Sequence, residues 1–277
     1  MQSKELISIV IPTYNAANFI VDTILSVLNQ SHSDLEVIVV DDCSTDDTVS
    51  IVKKMCDEDS RIILVPLEKN MGGPAGPRNI GVARSGGKWV CFLDADDLWH
   101  PAKITRQISA LRSLDAYFCC TNITVFTETC DFLSARRETY NNYGSYTFRQ
   151  ICSKNRICTS SVMVSADLLK DNRFFESPSY HAVEDMQCWL QILESIGRCV
   201  LIPESLVGYR ISEKQISKNK LKMAKKFFMV INQYRFKSNK GIGWKVYIYF
   251  IMYCVFSLWS LVRRSLDSWI FKKFNKQ

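Results

Sequence analysis

The sequence predicts an α/β fold: a central, mostly parallel sheet flanked by helices, with a C-terminal helical extension. Three observations predict it. Short apolar, β-branched runs alternate with amphipathic stretches through the first 115 residues, as in strand–helix–strand units with right-handed crossovers. Three of these runs end abruptly in polar or acidic residues: Pro12-Thr13-Tyr14-Asn15, Asp41-Asp42 and Asp94-Ala95-Asp96-Asp97. The alternation stops near residue 213, and the chain beyond it changes character.

The elements follow in order. Residues 6–11 form a first strand that meets the turn at Pro12, and a helix over 16–30 presents Ile20, Ile24, Val27 and Leu28 on one face. Residues 35–40 form a second strand, after which Ser44 or Thr45 caps a helix with Asp46 and Asp47 in its first turn. A third strand over 61–65 leads into a loop over 68–77 that holds five glycine or proline positions after Asn70, Gly72 among them, and then a short helix over 78–83. The run Trp89-Val90-Cys91-Phe92-Leu93 reads as a fully buried parallel strand. Its carboxyl end carries three acids, at the edge where open α/β sheets bind ligands.

After Pro101 the pattern predicts a helix to residue 113, a strand over 116–126 and a polar irregular loop over 130–150. A strand over 159–164, a helix over 184–195 and two short strands at 199–202 and 205–209 complete a domain of residues 1–213. The remaining 64 residues form a basic, aromatic-rich tail: an amphipathic helix over 221–236, then an uncharged segment over 246–262.

Charge divides the chain. Residues 1–213 carry 20 Lys and Arg against 27 Asp and Glu, whereas residues 214–277 carry 15 against Asp267 alone. A tail near +14 on an acidic body points to an anionic surface as partner. About 17 uncharged residues are marginal for spanning a bilayer, and tyrosines and Trp259 spread along them suit a helix lying among headgroups. The tail is therefore expected to sit peripherally on the inner face of the cytoplasmic membrane. The 11 cysteines form no CxxC pair and many lie inside apolar runs, as expected of reduced cysteines in a cytoplasmic protein with no secretory signal. No zinc-spaced, P-loop or Ser-His-Asp pattern occurs, and the turn after the first strand lacks the glycines of a dinucleotide fold. The acid clusters argue against a nucleic-acid binder, so no nucleic-acid partner is expected.

Three clustered carboxylates repel one another and lose hydration, which a hard divalent cation relieves by taking oxygen ligands and bridging to phosphates. Taken with Ser8 to Asn15, Val39 to Asp46, Asn70-Met71-Gly72-Gly73, Ala75 to Gly81 and Phe92 to Asp97, the first 110 residues resemble the family 2 glycosyltransferases. These are inverting enzymes of the GT-A fold, a Rossmann-like sheet. The resemblance implies a nucleotide-sugar half over 1–115 and an acceptor half over 116–213. It implies a UDP-sugar donor bound by Pro12, Thr13, Tyr14, Asn15 and Gly72, with Asp42 or Asp41 receiving the uracil imide and Arg78 facing the diphosphate or ribose. It places Asp96 on the ribose side or the metal and Asp97 on a manganese or magnesium ion, with Asp94 in the same cluster and the exact ligand among the three left open. Glu184-Asp185 is similar to the family's Glu-Asp motif, which makes Asp185 the catalytic base beside Glu184. His181 is a candidate contact to acceptor or diphosphate, and Arg210 or Lys218 to phosphate. The chain also resembles bacterial enzymes of O-antigen or capsule assembly, whose acceptor is a sugar on undecaprenyl diphosphate.

Overall fold

A computed structural model describes residues 5–127, 132, 142–211 and 220–257. Strands β1 (Ile7–Thr13), β2 (Leu35–Asp41), β3 (Ile62–Pro66) and β4 (Trp89–Phe92) run parallel in the order β3-β2-β1-β4. Helices α1 (Ile20–Leu28), α2 (Thr48–Glu58) and α3 (Ala75–Arg84) join them. All four strands therefore deliver their carboxyl ends to one edge.

The second half is mixed. After β5 (Leu98–Trp99), α4 (Lys103–Ser113) and β6 (Phe118–Phe126) come β7 (Gly144–Thr147), α5 (Phe148–Ser153), β8 (Met163–Ser165) and α6 (Ala166–Asp171). Then follow α7 (Glu184–Ile196), β9 (Arg198–Arg210), α8 (Lys220–Gln233) and α9 over 245–257. The sheet continues from β4 through β8, β6 and β9 to β5, with β7 also on β9. β8 is antiparallel to β4 and β6, while β6 and β9 are parallel.

Three local expectations differ from the structure. Helix α2 starts at Thr48 because Ser44 is already bonded to Asp41 and the Thr45 amide to Asn15 Oδ1. Residues 144–153, expected in an irregular loop, form β7 and α5, the latter opened by a capping box between Thr147 and Gln150. β9 is one strand rather than two: opposite Pro203 its register with β6 shifts at Asn122 and pairing then resumes. The expected loop residues 130–141, apart from 132, and Lys218 and Trp259 lie outside the described residues.

Two apolar layers sandwich the sheet, as the period-two alternation of β1 requires. Ile7, Ile9 and Ile11 face α1, α2 and α4 through Ile20, Ile24, Val52 and Ile104. Val10 faces the opposite layer with Val90, Phe92, Trp189 and Leu190. That second layer also contains Phe227, Val230, Ile231 and Tyr234 of α8, so the start of the expected tail shares the core of α7. α9 folds back on α8, with Tyr253 stacked on Phe227 at 4.0 Å and Phe250 edge-on to Phe228 at 4.9 Å. No helix among the described residues is long and apolar enough to cross a membrane.

Candidate active site

The first pocket lies where β1 and β2 end. About 350 Å³ in volume, it is lined by Pro12, Thr13, Tyr14, Asp42, Asn70, Gly72, Gly73 and His181, among others. Asp42 Oδ1 accepts the Met71 amide at 2.7 Å, and Asn70 Nδ2 donates to the Asp42 carbonyl at 2.6 Å. The 70–73 loop thus wraps Asp42, and Gly72 supplies the φ of +76° this turn needs, a conformation that side chains disfavour. Burial foremost raises the Asp42 pKa. Asp41 differs: both its oxygens are engaged by Ser44, at 2.5 Å from the hydroxyl and 2.9 Å from the amide. Of the two acids the sequence left open, Asp42 lines the pocket and Asp41 fastens the turn. Tyr14 is exposed over the pocket, while Asn15, with φ of 49°, braces the 44–45 turn.

The acids after β4 divide in the same way. Asp97 is 1% exposed, and its carboxyl group meets Ser160 Oγ at 2.6 Å and the Arg210 amide at 3.0 Å. Each Asp97 oxygen thus accepts one protein donor. Asp94 and Asp96 remain partly exposed. Burial, then the charge of Asp94, raises the Asp96 pKa to about 6. A carboxylate so penalised is one that a cation stabilises. Two carboxylates are a usual protein share for an octahedral hard cation that takes its other ligands from phosphates and water. Among the described residues no group of three or more His, Cys, Asp or Glu is arranged to hold a metal ion.

Arg78 does not point to open solvent as a free phosphate ligand. Its guanidinium is buried, with Nη2 on Asp94 Oδ1 at 2.7 Å and Nη1 on Glu184 Oε1 at 2.9 Å. Glu184 is itself 4% exposed, and its pairing with Arg78 anchors the start of α7. Asp185, the next residue, is only partly buried and accepts hydrogen bonds from Thr159 Oγ1 at 3.1 Å and Asn155 Nδ2 at 3.3 Å. Burial, then Glu184, pushes its pKa up to about 6, against the pull of Arg78. That value suits a base working near neutrality. Arg210 is also taken up by protein. Its Nε donates to the Asp96 carbonyl at 2.9 Å, and its guanidinium lies over the Phe19 and Phe126 rings.

Sequence reasoning missed the turn over 159–161. Ser160 Oγ receives the Asp94 amide at 3.1 Å and reaches Asp97, while Thr159 holds Asp185. This one turn ties the acid cluster to the candidate base. Its signal was three consecutive hydroxyls, Thr159-Ser160-Ser161, inside an apolar run.

The sequence profile described as glycosyl transferase family 2 matches residues 8–171. The chain is 33% identical over 221 residues to the E. coli protein WfaP, named UDP-Glc:alpha-D-GlcNAc-diphosphoundecaprenol beta-1,3-glucosyltransferase, covering 79% of this chain and 82% of that one. It is 32% identical over 236 residues to E. coli WfgD, which has the same descriptive name, covering 83% and 86%. S. aureus TarS 1–349, solved with UDP-GlcNAc, superposes with a TM-score of 0.67 at 22% identity, over 82% of this chain and 64% of that one. The mannosyltransferase PcManGT of Pyrobaculum calidifontis, solved with GDP-Man and Mn2+, gives 0.63 at 18% identity, over 83% and 64%. The solved transferases share the fold of this chain, and the chain belongs to glycosyl transferase family 2.

Proposed function

We propose that the protein transfers a sugar from a UDP-sugar to a lipid-linked sugar, with inversion at the anomeric carbon. The observation that supports this best is the convergence of three acid groups on one sheet edge. Asp42 lines the pocket, Asp94 and Asp96 follow the neighbouring strand β4, and Asp185 is linked to Asp94 through the 159–161 turn and, by way of Glu184, through Arg78. The uracil imide N–H donates to Asp42, whose pKa burial raises although its Oδ1 already accepts the Met71 amide. Tyr14 covers the base, and Pro12 and Thr13 wall the pocket. Asp96, with Asp94, would hold manganese or magnesium, which supplies charge neutralisation for the departing diphosphate. Asp185 takes the proton of the acceptor hydroxyl as that oxygen attacks from the face opposite UDP.

The names of WfaP and WfgD favour an acceptor sugar carried on undecaprenyl diphosphate, as in O-antigen or capsule assembly. A peripheral position on the inner face of the membrane suits such an acceptor. The outer face of α9 supports it: Trp244, Tyr247, Ile251 and Val255 recur at helical spacing and are 58–70% exposed. Lys237, Lys240 and Lys245 flank that stripe with charge of the sign an anionic leaflet attracts.

Calorimetry with UDP, with and without Mn2+, tests the donor site. UDP binds more tightly with Mn2+, and Asp42→Ala removes the preference for UDP over CDP. Equal affinity of the wild type for UDP, CDP and ADP would sink the donor assignment.

A further inference from the structure

The segment over 177–183 carries two parts of the proposed site: His181 in the nucleotide pocket and the lead-in to Glu184 and Asp185. Its own backbone hydrogen bonds close short-range turns, the Tyr180 amide on the Ser177 carbonyl at 2.9 Å and the Val183 amide on the Tyr180 carbonyl at 2.8 Å. A single 3-10 turn, Pro178–Tyr180, is followed by Ala182 at φ of 72°, a left-handed conformation that alanine disfavours. Such a residue persists only where its surroundings over-determine it.

The surroundings come from α8. The Lys226 ammonium donates to the His181 carbonyl oxygen, one residue before the strained Ala182. Two turns further along the helix, Gln233 Oε1 accepts the Tyr180 hydroxyl at 3.0 Å. The helix that carries both is itself fixed. Phe227, Val230, Ile231 and Tyr234 are buried against α7, and the Tyr234 hydroxyl donates to Glu194 Oε2 at 2.7 Å. On the other side of the segment, the His181 ring lies so close to Gly73 that a Cβ there would sit 2.5 Å from Nδ1. The segment is held between the donor loop and α8.

We propose that Lys226 and Gln233 are positioning residues of the active site, clamping the 178–183 turn so that His181 and Asp185 stand at their working places. The proposal rests on the reading of Asp185 as base. It makes the first helix of the basic tail part of the catalytic machinery, acting through backbone and hydroxyl contacts rather than on substrate. Lys226 also feels the charge of Glu184, while burial and Lys222 hold its pKa down.

The test compares Lys226→Met, Tyr180→Phe and Lys226→Arg by kcat, donor KM, UDP affinity and thermal midpoint. The donor is the UDP-sugar of highest turnover. Displacing a catalytic group by about an ångström costs on the order of 100-fold, so Lys226→Met is expected to lower kcat by roughly 10- to 100-fold. Tyr180→Phe, which deletes one hydroxyl, lowers it less. Donor KM and UDP affinity weaken by less than the loss in kcat in both, because His181 is one of several residues lining the nucleotide pocket, and Lys226→Arg, still a donor, recovers most of the turnover. In an Asp185→Asn background Lys226→Met costs nothing further, because the group it positions is gone. Wild-type kcat in both Lys226→Met and Tyr180→Phe overturns the proposal. So does an equal fold-loss from Lys226→Met in both backgrounds, or a failure of Lys226→Arg to restore what Lys226→Met loses. Should Lys226→Met not fold, Tyr180→Phe decides by kcat alone. Wild-type turnover in Asp185→Asn by itself refutes the base reading, and the clamp then stands or falls on the kcat of the two clamp variants.

Discussion

Arg78 Nη1 lies 2.9 Å from Glu184 Oε1, and both side chains are nearly excluded from solvent. The pair joins α3, which follows the donor loop, to the first residue of α7, which precedes the candidate base. Through its other nitrogen Arg78 also grips Asp94. One buried cation therefore sets the spacing between the donor acids and Asp185.

Removing one partner of a buried pair leaves the other charge uncompensated, at a cost of about 3–5 kcal/mol. Arg78→Met is expected to destabilise by that order in urea unfolding and to abolish transfer. Glu184→Gln keeps a hydrogen-bond acceptor for Arg78 and should cost clearly less. Equal stability of wild type and Arg78→Met would show that the pair carries no structural weight.

Asp96 and Asp97 are adjacent but separable. Asp96→Ala removes a carboxylate offered to the cation, so Mn2+ should no longer strengthen UDP binding. Asp97→Asn leaves an acceptor for the Arg210 amide and a partner for Ser160, so the Mn2+ effect should persist. Titration calorimetry of both variants distinguishes them. Loss of the Mn2+ effect in Asp97→Asn, with its survival in Asp96→Ala, would reverse the assignment.

Ile251 and Val255 of the apolar stripe are 62% and 58% exposed, so their substitution should leave the fold intact. Ile251→Ser with Val255→Ser is expected to reduce flotation with anionic liposomes while thermal stability holds. High salt should loosen the wild type only in part, because screening weakens the lysine attraction and not the apolar burial. Flotation of the double variant equal to wild type would make the stripe irrelevant to membranes.

The donor half was legible in the sequence because its signals are local. Each strand is a short apolar run, and each ends in a polar group whose position in the sheet follows from parallel topology. The division of labour within each acid pair was not legible. Asp41 and Asp42 differ through Ser44 and Met71, and Asp96 and Asp97 through Ser160 and Arg210, partners up to 113 residues away. The same limit hid Arg78, whose two partners lie 16 and 106 residues distant. β7 was missed because its residues, Gly144 to Thr147, are polar, and only pairing with β9 makes them a strand. The place of α8 in the core escaped because its four lysines read as a surface helix, whereas Phe227, Val230 and Ile231 bury its other face.

The central claim is that Asp185 is the base, and the pH dependence of turnover in wild type and Asp185→Asn tests it most directly. Its pKa is raised to about 6, chiefly by burial, so below that pH the carboxyl is protonated and cannot accept the acceptor's proton. Wild-type kcat should therefore be level above about pH 6 and fall about tenfold per unit below it. Asp185→Asn should bind the UDP-sugar normally, lose that acid limb, and turn over roughly 10²- to 10⁴-fold more slowly. Near-wild-type turnover in Asp185→Asn with the acid limb intact would contradict the account.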